Sequence, residues 1–523
     1  MLLTERAESA QRLSIFGDFW GKPARALYAF LLAISVSIWF LAIRAPLWLD
    51  ETGSYWQISA GFKGIWPRRV DSLCFPAYSY ILWFSTKLLG TSESAMRIPS
   101  ILAMGVAAYL LYRIAHELFE WDIAAIATII FCLNPIVIHE SLDVRPYAFA
   151  VLATNAAILT VVRLRRVDSD WLAALLGLLA ALIVWFHYLF GAILPALLLG
   201  LWIVRGQERR PFWRPFSVAV GTFAMAMLPA IQGLLYLFRT GRTHVFEDPP
   251  YMGDLLKALA PGWVPLTIAV TVMIYAAVSR NGRERVQFPK WQVLFCGGLG
   301  LVTALILYGV SLATPIHLFV ARHRLVAVPG ISLFWTLGVT PVRSRIGRLV
   351  FCVALVTITA IPYFASPDAR RHNYSWKDAL IVAEKNAAVD NAPVLICSDW
   401  PESDYGTMPV RPAESVWFAP LTYYQLTVPV VPLPRSLNDQ AMRIGTQFLE
   451  KAPEKRKRFL AMGFGPSFNT LNWLSQQSSQ KYAVRELGIY DGVVVLEFDP
   501  VFARGNASAA AKLDSQGRLS PGH

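Results

Sequence analysis

Eleven apolar runs dominate the sequence, and each approaches the length of a helix that crosses a lipid bilayer. The runs are roughly 15 to 22 residues long, and a hydrocarbon core about 30 Å thick needs about 20 apolar residues. Hydrophobic residues make up 55% of the 523 residues and charged residues only 16%. This pattern excludes a soluble enzyme and predicts a polytopic membrane protein. The predicted spans are approximately 26–43, 98–112, 123–138, 148–162, 171–186, 189–204, 216–237, 263–278, 291–312, 325–340 and 349–363.

The basic residues indicate how these spans are oriented. The formal net charge of +13 is concentrated in short clusters between apolar runs, which is typical of membrane orientation and argues against nucleic acid as a partner. With eleven spans all dense clusters share one side, which the positive-inside rule makes cytoplasmic. We therefore predict a cytoplasmic N-terminal segment at residues 1–25 and an external C-terminus. The clusters lie at residues 163–166, 205–214, 280–290 and 343–348.

Residues 77–89 form a twelfth apolar run that is too short to cross the bilayer. The run has 13 residues, follows Pro76 and carries Lys87 near its end, so an interfacial or re-entrant helix is the better interpretation. It belongs to a first external loop at residues 44–97. Long ordered loops usually carry function, so we expect the chemistry on the external face.

The sequence after Tyr363 changes character. It alternates helical spacing with short β-type runs, which predicts a soluble α/β domain at residues 364–503 on the external side. Residues 504–523 are rich in Ala, Ser and Gly and are predicted to be disordered. The fold class is thus an all-α transmembrane domain at residues 26–363 with a C-terminal α/β domain. The predicted helices are 376–390 and 438–451, and the predicted strands are 393–397, 459–462 and 493–498.

The spacing of cysteine and histidine residues indicates no metal site. Five cysteines are spread thinly along the chain, and neither an HExxH motif nor paired cysteines at metal-ligand spacing occurs. We expect no cofactor, and the sequence leaves metal dependence open.

Asp50 and Glu51 are the first candidate catalytic residues. They follow the outer end of the first span in the segment LWLDETGSYW. A carboxylate beside an apolar, tryptophan-rich helix end is partly desolvated, which favours its use as a general base. Because the preceding helix ends in Pro46, Leu47 and Trp48, we expect the Asp50 carboxylate to be more shielded from water than that of Glu51. The alternative interpretation is a solvated helix terminus.

The segment HESLDVRPY, residues 139–147, lies between two spans on the same predicted face. Titratable groups at a membrane edge are usually functional or paired. We treat Asp143, Arg145 and Tyr147 as candidates for substrate binding. The alternative is a structural clamp in which Arg145 pairs with Asp143 or Glu140.

Two further external turns carry candidate binding residues. Arg322 and Arg324, in ARHRL, break the positive-inside rule, and guanidinium groups suit the bidentate binding of a phosphate. Snorkelling toward lipid headgroups is the alternative. His187 and Tyr188 occupy the turn between the fifth and sixth spans and are weaker candidates, with an interfacial pair as the alternative.

Together these segments resemble the polytopic GT-C glycosyltransferases, specifically the branch of protein O-mannosyltransferases and bacterial lipid A aminoarabinose transferases. The resemblance covers most of residues 26–400 and depends on the order and spacing of the segments. The matching segments are LWLDET, FPAYSYILWFSTKLLGTSESAMRIPS, HESLDVRPYAFAV, WFHYL, ARHRLVAVPG and NYSWKDAL.

The resemblance implies a GT-C fold with about eleven transmembrane helices in the cell inner (plasma) membrane. It also implies transfer of a hexose or pentose from a polyprenyl phosphate donor to a lipid, glycan or protein acceptor, on the periplasmic side and with inversion. Asp50 matches the catalytic aspartate of the family, and Arg145 matches its arginine in the second external loop. Arg322 matches a basic residue before a late span, with Arg324 as its neighbour. Such a reaction needs a base on the acceptor hydroxyl and positive charge at the departing phosphate.

The sequence departs from the family pattern at two places. Relatives often have histidine or lysine before two prolines ahead of the interfacial helix, where this sequence has residues 73–76, LCFP. Relatives also often have glutamate where Asp143 stands. The first departure concerns contacts with the donor headgroup and any metal near that loop.

Two other functional classes stay open at this stage. One is a transporter or flippase of lipid-linked sugars, for which inverted repeats and paired broken helices would be typical. The other is a non-catalytic scaffold of the cell envelope. Asp50 discriminates a transferase from a scaffold, because a transferase requires the carboxylate whereas a scaffold tolerates an amide there.

Overall fold

The structure is a computed structural model, and it describes residues 22–69, 76–240, 248–278, 289–314, 317–451, 457–501, 512–513 and 519–520. Most of the predicted cytoplasmic segment, the family departure at residues 73–75 and most of the predicted disordered tail lie outside the described residues. The chain divides into two compact units. The helical unit comprises Met1–Arg44, Ser94–Tyr236 and Val245–Arg370. The mixed unit comprises Ala45–Glu93, Leu237–His244 and Arg371–His523.

Twenty-two helices are named here in chain order. They are α1 Lys22–Phe40, α2 Leu49–Ser59, α3 Phe62–Arg68, α4 Ala77–Leu89, α5 Glu93–Leu118, α6 Trp121–Cys132, α7 Pro135–Glu140, α8 Tyr147–Leu164, α9 Asp170–Phe186, α10 Leu194–Gln207, α11 Trp213–Met227, α12 Ile231–Thr240, α13 Met252–Leu259, α14 Val264–Val278, α15 Lys290–Ala313, α16 Ala321–Arg324, α17 Val328–Leu337, α18 Arg345–Ala365, α19 Lys377–Ala387, α20 Ala419–Tyr424, α21 Asp439–Lys451 and α22 Phe468–Ser478.

Seven helices among the described residues are long and apolar enough to cross a membrane, and a bent pair, α13 with α14, makes an eighth candidate. The predicted spans 123–138 and 325–340 contain shorter helices instead, and α9 covers the whole predicted span 171–186 but has only 17 residues. Proline explains two of these cases, since Pro135 opens α7 and Pro329 lies at the start of α17, where its ring prevents a continuous helix from running through. The predicted number of eleven spans is therefore not confirmed.

Small residues allow the helices of the helical unit to pack closely. A Cβ added to Gly330 of α17 would lie 2.4 Å from the backbone nitrogen of Gly300 in α15. A Cβ added to Gly177 of α9 would lie 2.3 Å from the carbonyl oxygen of Ala219 in α11. Close approach of backbones at glycine is typical of helices packed in a bilayer.

Basic residues at one set of helix ends form ion pairs. Arg348 lies 2.9 Å from carboxylate oxygens of both Glu120 and Asp122, and Arg205 lies 2.5 Å from Asp168. Arg205 and Arg348 belong to clusters that the sequence analysis places on the cytoplasmic side. These two arginines thus also stabilise the helix ends.

The mixed unit contains a five-stranded sheet with the order β2-β1-β3-β5-β4. Strands β1 and β2 are parallel, as are β1 and β3, whereas β5 is antiparallel to both β3 and β4. A separate two-stranded ladder joins β6 and β7. The C-terminal α/β domain predicted from the sequence is confirmed. The strands are β1 Val394–Cys397, β2 Val430–Leu433, β3 Phe459–Phe464, β4 Tyr482–Tyr490, β5 Val493–Pro500, β6 Lys512–Leu513 and β7 Leu519–Ser520.

Apolar residues cover both faces of the five-stranded sheet. Val394 and Ile396 of β1 lie in one buried cluster with Leu380 of α19. Leu395 and Cys397 lie in a second buried cluster with Leu471 and Leu474 of α22. Because successive side chains of a strand point to opposite faces, the continuous apolar run of β1 is explained by helices on both sides.

The first-loop helices pack on the C-terminal domain within the mixed unit. The Trp56 indole donates to the carbonyl of Glu414 at 3.0 Å, and the Leu47 amide donates to the Tyr424 hydroxyl at 2.7 Å. The sequence predicts that residues 44–97 belong to the transmembrane domain, whereas the structure groups residues 45–93 with the C-terminal residues. Helix α4 has the bounds expected for the short apolar run.

Candidate active site

In the helical unit, Arg145 and Tyr147 stand at the start of α8. Arg145 is half-buried, and its guanidinium carbon lies 6.0 Å from the centre of the Tyr147 ring. The Tyr147 side chain is buried. Asp143, two residues before Arg145, is buried as well. The short connection between α7 and α8 therefore holds Asp143 and Arg145 close in the chain to Tyr147, the first residue of α8.

His187 joins the predicted segments of the helical unit. Its ring centre lies 5.2 Å from that of Tyr147 and 5.5 Å from that of Tyr188, which it stacks against at 6°. His323, next to Arg322, lies 5.5 Å away by the same measure. His187 is buried, and its Nδ1 has no hydrogen-bond partner in the described part of the chain. The turn at residues 187–188 is thus central to the cluster, although the sequence ranked it lowest.

The histidines of this cluster are uncharged at neutral pH. Burial lowers the pKa of His187 well below its usual range, and the charges of Arg145 and Arg322 act in the same direction. Burial, with help from Arg322, lowers the pKa of His323 to about 3. The positive charge of the cluster therefore resides on guanidinium groups. We name Arg145, Tyr147, His187, Tyr188, Arg322 and His323 the guanidinium cluster, and Arg324 follows His323 directly in the chain.

Arg324 borders a cleft in the helical unit. Its guanidinium carbon lies 4.9 Å from the centre of the Phe319 ring, and one Nη donates to the carbonyl of Asp254 at 3.2 Å. The cleft is also lined by His317 and Tyr251. The Nε of Arg324 is buried and has no acceptor among the described residues. A buried N–H group without an acceptor calls for a partner, and an anion is the natural one for arginine.

In the mixed unit, the two predicted carboxylates lie in the first turn of α2, where negative charge is favoured by the helix dipole. Glu51 is 0% exposed, accepts from the Trp48 amide at 3.2 Å and lies 4.0 Å from the His372 ring. Asp50 is half-buried. The expectation that Asp50 is more shielded from water than Glu51 is therefore wrong, because the Glu51 side chain is buried where it caps the start of its own helix. Asp50 is the carboxylate that stays accessible.

The site in the mixed unit contains residues that the sequence analysis did not find. The Tyr374 hydroxyl donates to Oδ2 of Asp399 at 2.8 Å, and Nε of Arg435 lies 4.0 Å from Oδ1. Burial raises the pKa of Asp399 to about 6; the hydrogen bond from Tyr374 and the charge of Arg435 oppose that shift, and the charge of Asp50 adds to it. Burial also raises the pKa of Tyr374, as do the charges of Asp399 and Asp50. Asp50, Tyr374 and Asp399 are thus electrostatic neighbours.

Aromatic packing and hydrogen bonds hold this site together. Tyr374 stacks on Phe464 with ring centres 4.3 Å apart and meets the edge of Trp48 at 6.3 Å. The Ser375 hydroxyl donates to the carbonyl of Leu47 at 3.3 Å. Tyr374 lies in the segment NYSWKDAL, which the family resemblance already includes. The one feature of the sequence that could have pointed to Asp399 is its position two residues after the predicted strand 393–397.

Comparison with solved structures identifies the class of fold. The crystal structure of apo ArnT from Cupriavidus metallidurans matches with a TM-score of 0.50 and 11% identity, over 91% of this chain and 98% of that chain. The undecaprenyl phosphate complex of the same protein matches with a TM-score of 0.48 and 10% identity, over 90% of this chain and 97% of that chain. The structure of arabinofuranosyltransferase AftD from Mycobacteria matches with a TM-score of 0.48 and 14% identity, over 92% of this chain and 40% of that chain. The chain has the expected GT-C fold and is a multi-pass membrane protein.

A sequence profile gives a narrower match to part of the chain. The profile of the dolichyl-phosphate-mannose-protein mannosyltransferase family matches residues 75–232. This segment includes the HESLDVRPY and WFHYL motifs. No curated protein sequence matches the chain.

Proposed function

We propose that the protein is a glycosyltransferase that takes a hexose or pentose from a polyprenyl phosphate and transfers it, with inversion, to a lipid, glycan or protein acceptor. The GT-C fold and the profile match to a family that uses a dolichyl phosphate sugar support this proposal. The observation that carries it is the guanidinium cluster with its uncharged histidines, together with the buried Nε–H of Arg324, which has no acceptor among the described residues. Such a cluster suits a phosphate.

The roles of the residues follow from the chemistry of displacement. A sugar phosphate leaves readily when positive charge stabilises the departing oxygens, and Arg145, Arg322 and Arg324 supply that charge. The acceptor hydroxyl attacks readily when a base takes its proton, and Asp50 is the accessible carboxylate in the first turn of α2.

Neighbouring residues take supporting roles in this proposal. Tyr147, His187 and Tyr188 give the donor an aromatic wall with an imidazole nitrogen available for a hydrogen bond. Asp143 is the alternative base. Glu51 holds the start of α2 and, through it, the position of Asp50. No cofactor is part of the proposal.

Product analysis tests the proposal directly. Purified protein is incubated with membrane lipid extracts and a panel of radiolabelled polyprenyl phosphate sugars, with and without a chelator to test metal dependence. We expect one donor to yield a product with inverted anomeric configuration. Translocation of a lipid-linked sugar across vesicles without any product would favour a flippase, and full function of an Asp50→Asn variant in vivo would favour a scaffold.

We also propose that the C-terminal domain and the active site face the periplasm or cell exterior of the inner membrane. The proposal rests on the positive-inside rule, because the dense basic clusters share one side with an odd number of spans. A C-terminal alkaline phosphatase fusion is expected to be active, and a C-terminal reporter that works only in the cytoplasm is expected to be silent. The reverse result would show that the span count is wrong by one.

A further inference from the structure

Two guanidinium groups lie against the indole of Trp121, the first residue of α6. The guanidinium carbon of Arg25, near the start of α1, lies 5.4 Å from the centre of the indole ring. That of Arg345, the first residue of α18, lies 6.0 Å from the same centre. All three residues belong to the helical unit. The N-terminal ends of three helices therefore meet at one aromatic ring.

Neither of these arginines forms an ion pair with a described residue. The carboxylates that flank the indole in the chain are Glu120 and Asp122, and an oxygen of each lies 2.9 Å from Nη1 of Arg348. Arg25 and Arg345 take no part in these pairs, and neither guanidinium donates a hydrogen bond within the described part of the chain. Both side chains are exposed. Their charges are therefore available to an anion from outside the described chain.

A comparable arginine in the same unit is neutralised by a carboxylate. The guanidinium carbon of Arg165 lies 4.9 Å from the ring centre of Trp291, so this arginine also contacts an indole. Its Nε, however, lies 3.6 Å from an oxygen of Glu208. Contact with an indole thus does not exclude a carboxylate partner, and the two arginines at Trp121 are left without one among the described residues.

The contact with the indole holds these guanidinium groups without using their hydrogen-bond donors. A guanidinium is attracted to the face of an aromatic ring by the ring quadrupole, and its N–H groups remain available in a planar fork that matches a phosphate. The indole is itself fixed, because the Tyr28 ring meets it at 86° with the ring centres 5.6 Å apart. Tyr28 is only 4% exposed. Little side-chain freedom is therefore lost when an anion binds.

The helix ends add to the positive potential at this ring. The N-terminal end of a helix carries about half a positive charge, and its free N–H groups favour an anion. The first turn of α18 contains no acidic residue, and that of α6 contains Asp122, which is paired with Arg348. The arrangement therefore favours a phosphate over a cation or a neutral ligand.

Exposed apolar side chains continue along the helices from both arginines. Ile346 and Val350 of α18 are 68% and 59% exposed, and their spacing along the helix puts them on one face. On α1, Phe30 is 60% exposed, and Leu27 lies about one turn before it. Inorganic phosphate uses no apolar surface, whereas the phosphate of a phospholipid is attached to acyl chains that do. The neighbouring surface therefore favours a lipid as the source of the phosphate.

We propose that Arg25, Trp121 and Arg345, named the indole platform, bind the phosphodiester headgroup of an anionic phospholipid. Arg345 belongs to the basic cluster at residues 343–348, which the positive-inside rule places on the cytoplasmic side. Basic pockets between helices on that side suit anionic headgroups, so the lipid comes from the cytoplasmic leaflet. It connects α1 to α18 through one shared ligand and stabilises their packing at α6. This lipid takes no part in the proposed transfer reaction.

Native mass spectrometry of the full-length protein, released from detergent micelles, tests the indole platform. The probes are phosphatidylglycerol and phosphatidylcholine with identical acyl chains, because their headgroups differ in net charge. We expect the wild type to retain phosphatidylglycerol preferentially. The Arg25→Ala, Arg345→Ala double variant should weaken that binding about 10-fold or more, since each arginine near an anionic headgroup contributes to the attraction, and should leave phosphatidylcholine binding unchanged. Equal retention of both lipids by the wild type would overturn the proposal.

The matched control is the Arg210→Ala, Arg214→Ala double variant. It removes the same charge from the same predicted side, but these arginines are paired with Asp168 and Asp170 at 2.7 Å. Phosphatidylglycerol binding should therefore be the same as in the wild type. An equal loss in both double variants would assign the binding to general surface charge and overturn the proposal.

Two further measurements test the indole and the lipid separately. Trp121→Leu keeps both positive charges and should weaken phosphatidylglycerol binding several-fold, because the guanidinium groups lose their support; binding equal to that of the wild type would overturn the role of the indole. Thermal unfolding in nanodiscs checks that each variant folds, and phosphatidylglycerol should raise the Tm of the wild type more than that of the Arg25→Ala, Arg345→Ala variant. Displacement of the lipid by millimolar inorganic phosphate would overturn the lipid assignment in favour of a soluble anion.

Discussion

The guanidinium cluster of the helical unit and the site around Tyr374, Asp399 and Arg435 in the mixed unit are built differently. The first takes its side chains from turns at the ends of apolar helices, as at Arg145, His187 and Arg322. The second takes them from the ends of strands and from the segment before α19, as at Asp399, Arg435 and Tyr374. The comparison teaches that polar groups at the ends of membrane helices can be recognised in the sequence, because the apolar runs on both sides set them apart. Polar groups at a sheet edge cannot be recognised in this way, because the neighbouring loop residues are polar as well.

Charge also separates the two regions. In the guanidinium cluster the imidazoles are uncharged and arginine carries the charge. In the mixed unit, carboxylates lie near one another, and Asp50 helps to raise the pKa of Asp399. A positive region suits a phosphate, and a region of hydrogen-bond acceptors suits hydroxyl groups.

The largest expected effect is that of Asp50→Asn. The amide keeps the volume but cannot take a proton, so turnover should fall by roughly 10²- to 10⁴-fold, as is typical for a lost acid or base. Affinity for a polyprenyl phosphate should stay unchanged. Turnover in single-turnover assays and equilibrium donor binding measure the two quantities separately.

Glu51→Gln is the matched variant for Asp50. Because Glu51 is buried and caps α2, its loss should reduce stability by about 1–3 kcal/mol, the usual range for a buried polar group that loses its partner. The effect on turnover should be smaller than that of Asp50→Asn. Near-normal transfer by Asp50→Asn would assign the base to another carboxylate, with Asp143 the next candidate.

The second effect concerns the guanidinium cluster. The Arg322→Ala, Arg324→Ala double variant should weaken donor binding by roughly 100-fold or more, since each charge-assisted hydrogen bond contributes about 1.5–3 kcal/mol. Lysine at either position should restore part of the donor affinity, because it keeps the positive charge. The recovery should be incomplete, because lysine lacks the planar guanidinium that binds a phosphate through two hydrogen bonds. Binding of a labelled polyprenyl phosphate measures this.

Arg214→Ala is the control for the double variant. Arg214 is exposed and pairs with Asp170 at 2.7 Å in the same unit. Its removal should leave donor affinity unchanged. Equal donor affinity in the wild type and the double variant would rule out the phosphate role.

The third effect is a pH dependence of stability that arises from Asp399. Its pKa is about 6 in the folded protein and about 3.9 in an unfolded chain. Between these values the folded state keeps a proton that the unfolded state releases, so this group lowers stability as pH rises from 4 to 6 and adds no further change above 6. The total is about 3 kcal/mol, at roughly 1.4 kcal/mol for each pKa unit.

Asp399→Asn should remove that part of the pH response. Thermal unfolding of the nanodisc-embedded protein at pH 4, 5, 6 and 7 gives the difference between variant and wild type at each pH. The difference should grow in favour of the variant from pH 4 to 6 and then level off. A constant difference would contradict the raised pKa, and Asp439→Asn, at an exposed carboxylate of the same domain, should show a constant difference.

The smallest effect is expected from Gly53→Ala. An added Cβ would lie 3.2 Å from a ring carbon of Trp400, so the indole must shift slightly. The gain in helix propensity, about 1 kcal/mol, should offset this contact and leave stability nearly unchanged.

Gly105→Ala provides the control, since a Cβ there meets nothing within 4 Å. Thermal unfolding should show the full gain in helix propensity for Gly105→Ala and a smaller gain, or none, for Gly53→Ala. An equal gain in both variants would show that the contact with Trp400 costs no stability.

The sequence by itself determined the membrane character, the C-terminal α/β domain and the residues of the guanidinium cluster other than His323, which only the structure places beside His187. Long apolar runs and charged turns are local features, and a bilayer permits few alternatives for them. Only the tertiary structure decided that Glu51 rather than Asp50 is buried, and that Asp399, Tyr374 and Arg435 meet near Asp50. Those outcomes depend on which strands become neighbours and on which side a helix packs. These are long-range choices that no local pattern around residues 50, 374, 399 or 435 contains.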